Sequence, residues 1–318
     1  MIGKKLLAVA LAANCVFAVS CSDRPVEETP ISTVTAPAKD VVEEVAPWEP
    51  AALEQRKVTA GGLKREYVVS LPHGARQRDK LPLIFVFHGF TEDIERTRRN
   101  TGLDQADAIV AYMAGVDTAW APAPYASTTG EQDLAYVDAV LEELTAELPV
   151  DRSRVFAAGM SNGGGFAAYL GCQRPQEFTG IATVAAAFYE RVSQGCSQIP
   201  MKHINFHGTD DRIISYYGGE RHATVYDSVP EMLEESARRN HCAAREEDTR
   251  ITSLVTQLAW SDCDAALLHY RIEHGPHTWP GGAGDNSATV SKSFATRMML
   301  EFFGVGYGIE DHATPERE

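Results

Sequence analysis

Between residues 51 and 305 the chain alternates short apolar runs with amphipathic stretches. Leu83, Ile84, Phe85, Val86 and Phe87 form an unbroken apolar run, as expected for a strand buried on both faces. Residues 67–71 read as a strand that stops at Pro72, and 109–113, 155–158, 181–187, 204–206 and 266–272 read as further strands. In 133–148, Leu134, Val137, Val140, Leu141, Leu144 and Leu148 recur at helical spacing. Residues 225–240, with Met232 and Leu233 facing inward, predict another helix. So do residues 287–303, where Val290, Phe294, Met298, Leu300, Phe302 and Phe303 are available for packing. Strands alternating with helices predict an α/β fold whose central sheet is mostly parallel and flanked by helices on both faces. One core of roughly 250 residues is large enough to need no second domain.

The two ends break this pattern. Lys4 and Lys5 precede an apolar stretch, Leu6 to Ala13 and Val16 to Val19, interrupted by Asn14 and Cys15. Residues 1–20 therefore read as a signal peptide, too short and interrupted for a spanning helix. Ala18-Val19-Ser20-Cys21 resembles a bacterial lipobox, with Ala18 where Leu is usual, and makes Cys21 the candidate lipidation site. The alternative is a plain secretory signal cleaved near Ser20. Residues 21–50 carry five prolines and many acids with no apolar period, which predicts a solvated acidic linker. The catalytic domain is expected over 51–305, with a polar, disordered tail over 306–318.

Composition narrows the class. Of 318 residues, 44% are apolar and 23% charged, which excludes a fully disordered chain and a multi-span membrane protein. The net charge of −15 argues against a nucleic-acid partner, because duplex binding requires Lys and Arg to neutralise phosphates. A membrane is an expected partner through a lipid anchor only.

Gly159-Met160-Ser161-Asn162-Gly163 is a G-x-S-x-G sequence between the strand 155–158 and a helix beginning near Phe166. Such a strand-to-helix elbow strains the serine backbone, projects the hydroxyl above the sheet, and directs the backbone N–H groups of the helix N-terminus at a developing oxyanion. Ser161 is the candidate nucleophile; a glycine-rich structural turn is the alternative.

Serine needs a general base, and in this arrangement the order is serine, acid, histidine. His277 lies in the loop between the last strand and the last helix, where a base belongs; His274 is the near rival. His207-Gly208-Thr209-Asp210-Asp211 follows the strand 204–206 and offers the acid, but turn chemistry cannot choose between Asp210 and Asp211. The loop after 83–87 supplies the second oxyanion donor, so the candidate donors are the backbone N–H groups of Phe90 and Asn162. His88 is expected to hold that loop by a hydrogen bond. Trp279, two residues beyond His277, is expected to contact substrate.

Together, His88-Gly89, Gly159-Met160-Ser161-Asn162-Gly163-Gly164, His207-Gly208-Thr209-x-Asp211 and His277-Thr278-Trp279-Pro280-Gly281 resemble the polyhydroxybutyrate depolymerase and feruloyl esterase family of α/β hydrolases. The likeness covers about residues 58–305. It implies hydrolysis of carboxylic esters, either of hydroxyalkanoate oligomers or of feruloyl and acetyl groups on plant polysaccharide. Its H-G-T-x-D pattern favours Asp211. The chain departs from the family at Phe90-Thr91-Glu92-Asp93, where many relatives read Cys and then Gly-Gly.

Four cysteines fall within the domain: Cys172, Cys196, Cys242 and Cys263. An even count in an exported protein suggests disulfides, with three possible connectivities. The resemblance points to Cys242–Cys263, and sequence nearness suggests Cys172–Cys196; free thiols are the alternative. No Cys or His spacing suits a metal, and no cofactor is implied. The sequence thus predicts an exported serine esterase using Ser161, His277 and Asp211. A peptidase on the same fold and a non-catalytic binding protein are the rivals.

Overall fold

The computed structural model describes residues 52–308. The expected signal peptide, the acidic linker, Cys21 and residues 309–318 of the expected tail lie outside the described residues. The described chain opens with a hairpin, β1 (Ala52–Ala60) and β2 (Leu63–Leu71). Then come β3 (Leu81–Phe87), α1 (Ile94–Thr101), β4 (Ile109–Met113), α2 (Gly130–Glu147), β5 (Val150–Met160), α3 (Asn162–Gln173) and β6 (Gly180–Val184). A short α4 (Glu190–Ser193) leads to β7 (Lys202–Gly208), the small hairpin β8 (Gly219–Arg221) and β9 (Thr224–Tyr226), and α5 (Val229–Arg239). The two-residue strands β10 (Ala244–Arg245) and β11 (Thr249–Arg250) precede β12 (Val255–Ser261), β13 (Leu267–Ile272) and α6 (Phe294–Phe303).

The main sheet has the order β1-β2-β4-β3-β5-β6-β7-β13-β12-β10, with β11 against β12. Its centre, from β4 to β13, is parallel, and its flanks are antiparallel. Side chains alternate across a strand, so β3 feeds two cores. Leu81, Leu83, Phe85 and Phe87 pack with Leu134, Val137, Phe166 and Leu170 of α2 and α3. Ile84 and Val86 point the other way and join Phe294, Met299 and Leu300 of α6. On that second face Phe156 stacks on Phe303 with ring centroids 4.2 Å apart. Each such fully buried side chain contributes roughly 1.5–3 kcal/mol.

Several boundaries differ from the sequence expectation for identifiable reasons. The run 181–187 stops being a strand at Val184 because Ala185 turns to φ 44°. The helix expected from 225 begins at Val229. Ser228 caps it, its hydroxyl accepting from the Glu231 N–H at 3.3 Å, and residues 224–226 pair with β8 instead. The helix expected from 287 begins at Phe294. Before it, Asp285 holds a loop by accepting from the N–H groups of Gly281 and Ser287, at 2.8 and 3.0 Å. The tail expected from 306 still touches the domain there: Asp107 N–H bonds to Gly306 O at 2.8 Å, and Gly308 N–H to Gln105 O at 3.0 Å.

One buried ion pair fastens the loop between β4 and α2. Arg65 Nη1 lies 2.7 Å from Asp133 Oδ1, and both side chains are fully buried. Asp133 Oδ2 accepts from the Ala121 N–H at 2.9 Å and from the Thr128 hydroxyl at 2.7 Å. Arg65 also stacks over the Tyr136 ring at 4.0 Å. Removing one member would strand a buried charge, at a cost of about 3–5 kcal/mol. The loop so held carries Trp120 and Tyr125 towards the site.

Candidate active site

Ser161 stands at the junction of β5 and α3 with φ 55° and ψ −119°. An L-residue adopts that conformation only when its surroundings impose it. Here the Ser161 N–H bonds to Val184 O at 2.9 Å, and its carbonyl accepts from Gly165 N–H at 3.0 Å and Ala187 N–H at 3.1 Å. The elbow is thus pinned to both neighbouring segments, and the hydroxyl faces a cavity of about 670 Å³. His277, Met160, Phe90 and Tyr125 share that cavity. A smaller cavity of about 310 Å³ lies beside Cys172 and Cys196 and contains neither Ser161 nor His277.

His277 Nδ1 is 2.7 Å from Asp211 Oδ2. The carboxylate is fully buried and the imidazole 16% exposed. Parallel pairing of β7 with β13 sets the two loops side by side, and the Asp210 N–H bonds to Gly275 O at 3.1 Å. Glycine is required at this crossing: a Cβ on Gly208 would sit 2.0 Å from Gly275 O. The rival pair lies outside. His274 and Asp210 are 3.7 Å apart, with side chains 75% and 57% exposed.

Asp211 is surrounded by donors. Its Oδ1 accepts from the N–H groups of Ile213 and Ile214 at 2.9 and 2.8 Å. Its Oδ2 also lies 3.3 Å from His207 Nε2, which is 2.8 Å from Ile214 O. Both neighbours of Nε2 are acceptors, so Nε2 carries the hydrogen. Burial alone would raise the Asp211 pKa, but the hydrogen bonds from His207 and His277 hold it well below the usual carboxylate range. The sequence offered His207 as part of a motif but gave no sign that it would be a second imidazole on Asp211.

The candidate oxyanion loop is held from behind. Gly115 N–H donates to His88 Nε2 at 2.9 Å, so Nδ1 carries the hydrogen and donates to Gly89 O at 2.8 Å. Burial lowers the His88 pKa and keeps the ring neutral. His88 therefore acts as the loop brace the sequence suggested. The N–H groups of Gly89, Thr91 and Glu92 are taken up by Glu92 Oε2, Thr118 O and Gly89 O at 3.1 Å each. The intervening Phe90 N–H has no acceptor among the described residues. Asn162 opens α3, and the first-turn N–H groups of a helix have no intrahelical acceptor.

Trp279 requires a correction. It is fully buried, and its indole N–H donates to Thr296 Oγ1 at 2.9 Å. It lies in the second core and is absent from the 670 Å³ cavity, so it braces the His277 loop against α6 rather than contacting substrate. The aromatic wall is built instead by Phe90 and Tyr125, 4.2 Å apart between ring centroids, with His222 4.5 Å from Tyr125. Nothing local in the sequence marks Tyr125 or His222; the tertiary fold brings them in. The two disulfides are Cys172–Cys196 and Cys242–Cys263. Among the described residues there is no cluster of side chains able to hold a metal ion, and no helix is long and apolar enough to cross a membrane.

The strand order and the serine elbow define an α/β hydrolase. No family model matches the chain. It is 27% identical over 306 residues to a protein of Nocardia uniformis named as an esterase, NocK, covering 86% of this chain and 89% of that one. Feruloyl esterase C of Emericella nidulans is 28% identical over 173 residues, 52% of this chain and 61% of that enzyme, so the match spans less than two thirds of it. Among solved structures, an acetyl xylan esterase from Aspergillus awamori superposes with a TM-score of 0.57 at 15% identity, over 80% of this chain and 99% of that one. The chain is thus similar in sequence to proteins named esterase and feruloyl esterase.

Proposed function

We propose that the chain is an exported serine carboxylesterase. The observation that carries the reading is the 2.7 Å bond from His277 to the buried Asp211, on the wall of the cavity that the strained Ser161 faces. Ser161 Oγ attacks the ester carbonyl while His277 Nε2 takes its proton. Asp211 holds the imidazole tautomer and stabilises its charge. The N–H groups of Phe90 and Asn162 receive the oxyanion; one such donor is typically worth about 100- to 1,000-fold in rate. His277 then protonates the departing alcohol, and water releases the acid from the acyl-enzyme. Feruloyl and acetyl esters of polysaccharide and hydroxyalkanoate oligomers are the substrate classes, the first two in keeping with the names of the relatives.

Two disulfides favour an oxidising compartment, and Cys21 is the proposed lipid attachment point. The deciding assay is hydrolysis of 4-nitrophenyl acetate, followed by a panel of methyl ferulate, acetylated xylan and hydroxybutyrate oligomers. Ser161→Ala should lower turnover by about 10⁴-fold or more with the fold intact. Near-normal turnover in that variant would sink the serine-esterase reading. Recovery of the full-length chain in the soluble fraction as readily as its Cys21→Ser variant would remove the lipid anchor.

A further inference from the structure

The β8–β9 hairpin edges the cavity. Its two-residue turn, His222 and Ala223, has both residues at positive φ, 55° and 54°, the backbone of a tight hairpin turn. Its base is fixed: Tyr226 bridges to Tyr189, and its hydroxyl accepts from the Ser215 N–H at 3.0 Å. The turn therefore holds Arg221 and His222 at the cavity, beside the Phe90–Tyr125 wall.

The formal charges lining this cavity sum to zero, but they do not all pair with one another. Its carboxylates are Glu92 and Asp285, and its permanent cations are Arg96 and Arg221. Glu92 accepts from the Gly89 N–H at 3.1 Å and pairs with Arg96 Nε at 2.9 Å. Asp285 accepts from the Gly281 N–H at 2.8 Å and from the Ser287 hydroxyl at 2.6 Å. Arg221 has neither a carboxylate nor a hydrogen-bond acceptor among the described residues. Its charge nevertheless reaches the cavity: burial raises the pKa of Tyr125 and of Tyr189, and Arg221 offsets part of each rise. The chain as a whole carries −15, so its general field repels anions. An anionic substrate could gain only from a specific contact.

We propose that Arg221 recognises a carboxylate carried by the ester substrate at a distance from the scissile carbonyl. The inference rests on the esterase reading and refines it. A guanidinium presents a planar fork that matches a carboxylate with two parallel hydrogen bonds. The Phe90–Tyr125 rings beside it supply apolar contact for the carbon chain that links the carboxylate to the ester. Hemiesters of dicarboxylic acids carry such a group on the acyl side. Acylated hydroxy acids, including short oligomers with a free acid end, carry it on the alcohol side.

The test compares kcat/KM for matched charged and neutral esters within each variant, so the amount of folded enzyme cancels. The acyl-side pair is mono-4-nitrophenyl adipate against 4-nitrophenyl hexanoate. The alcohol-side pair is 4-acetoxybutanoate against butyl acetate. In one pair the charged-to-neutral ratio should fall about fivefold in Arg221→Gln, as expected for a solvent-exposed ion pair, and further in Arg221→Glu. Added salt should shrink the wild-type ratio but not that of Arg221→Gln. The pair that responds identifies the side bearing the carboxylate. Ratios unchanged in both pairs would overturn the proposal. Wild-type protein inert towards the neutral esters as well would instead remove the esterase reading beneath it.

Discussion

Asn162 and Trp120 exchange two hydrogen bonds: the Trp120 N–H donates to Asn162 Oδ1 at 2.8 Å, and Asn162 Nδ2 donates to Trp120 O at 3.0 Å. The residue after the candidate nucleophile is thereby clamped to the loop before α2. Trp120 in turn donates its indole N–H to His88 O at 3.1 Å, behind the candidate oxyanion loop. One amide side chain thus ties the elbow to both loops beside it. Asn162→Ala should leave the buried N–H and C=O of Trp120 without partners and lower stability by about 1–3 kcal/mol per group. It should also lower kcat more than it raises KM, because the backbone donors shift while the cavity wall remains. Urea midpoints and initial rates check both. An unchanged midpoint would show that the clamp is replaced by water.

Asp211→Asn should cost far more activity than Asp210→Asn. Asp211 is buried on His277, whereas Asp210 faces solvent beside His274. Loss of the correct imidazole tautomer costs about 10⁴-fold in a serine protease. The opposite ranking in initial-rate assays would move the acid to Asp210. His207→Leu should fall between the two, since it removes one donor from the carboxylate and leaves the other in place.

The elbow was legible because a short continuous apolar run, a glycine-flanked serine and a following helix are all local. The 50 and 66 residues separating Ser161, Asp211 and His277 are bridged by parallel strand neighbours, and apolar runs do not reveal which strands are neighbours. The hairpin that carries Arg221 was hidden for another reason. Its first strand is three exposed residues, Gly219, Glu220 and Arg221, with no apolar side chain to give it a period. Trp279 misled because closeness to His277 in sequence says nothing about which way a loop side chain turns. Its indole turns into the core, where Thr296 satisfies the N–H.

Gly163→Ala should damage the site beyond its effect on stability. A Cβ at this position would lie 2.2 Å from Phe87 O and 2.5 Å from His88 O, so the first turn of α3 must move off the end of β3. Overpacking of this kind costs about 1–3 kcal/mol. The displaced turn carries the Asn162 N–H, so ester hydrolysis should fall by a larger factor than the folded fraction does. Turnover that simply tracks the folded fraction in thermal melts would count against a role for this turn.

The last expectation concerns acid. His203, His269 and His88 are all buried, and burial is the main reason that each has a lowered pKa. His203 is brought down to about 3, helped by the nearby Arg239 charge. The unfolded chain binds protons at these imidazoles near pH 6.5, whereas the folded chain does not. Below that pH the unfolded state therefore holds more protons, and stability must fall as pH falls. The contribution is complete above pH ~6.5 and is lost progressively on the way down to the folded-state value. Well below pH 6.5 each histidine that stays neutral in the folded chain adds a slope approaching about 1.4 kcal/mol per pH unit, so His203 and His269 together add up to roughly 3, and His88 adds in the same direction. Asp211 acts in the same direction only below pH ~4, where its carboxylate begins to protonate in the unfolded chain. Urea midpoints between pH 7 and 5 therefore isolate the histidines, and they should decline steadily. His203→Gln should flatten the slope, because glutamine takes no proton in either state. A stability profile that stays level from pH 7 to 5 would mean that these imidazoles are protonated in the folded protein or reached by water.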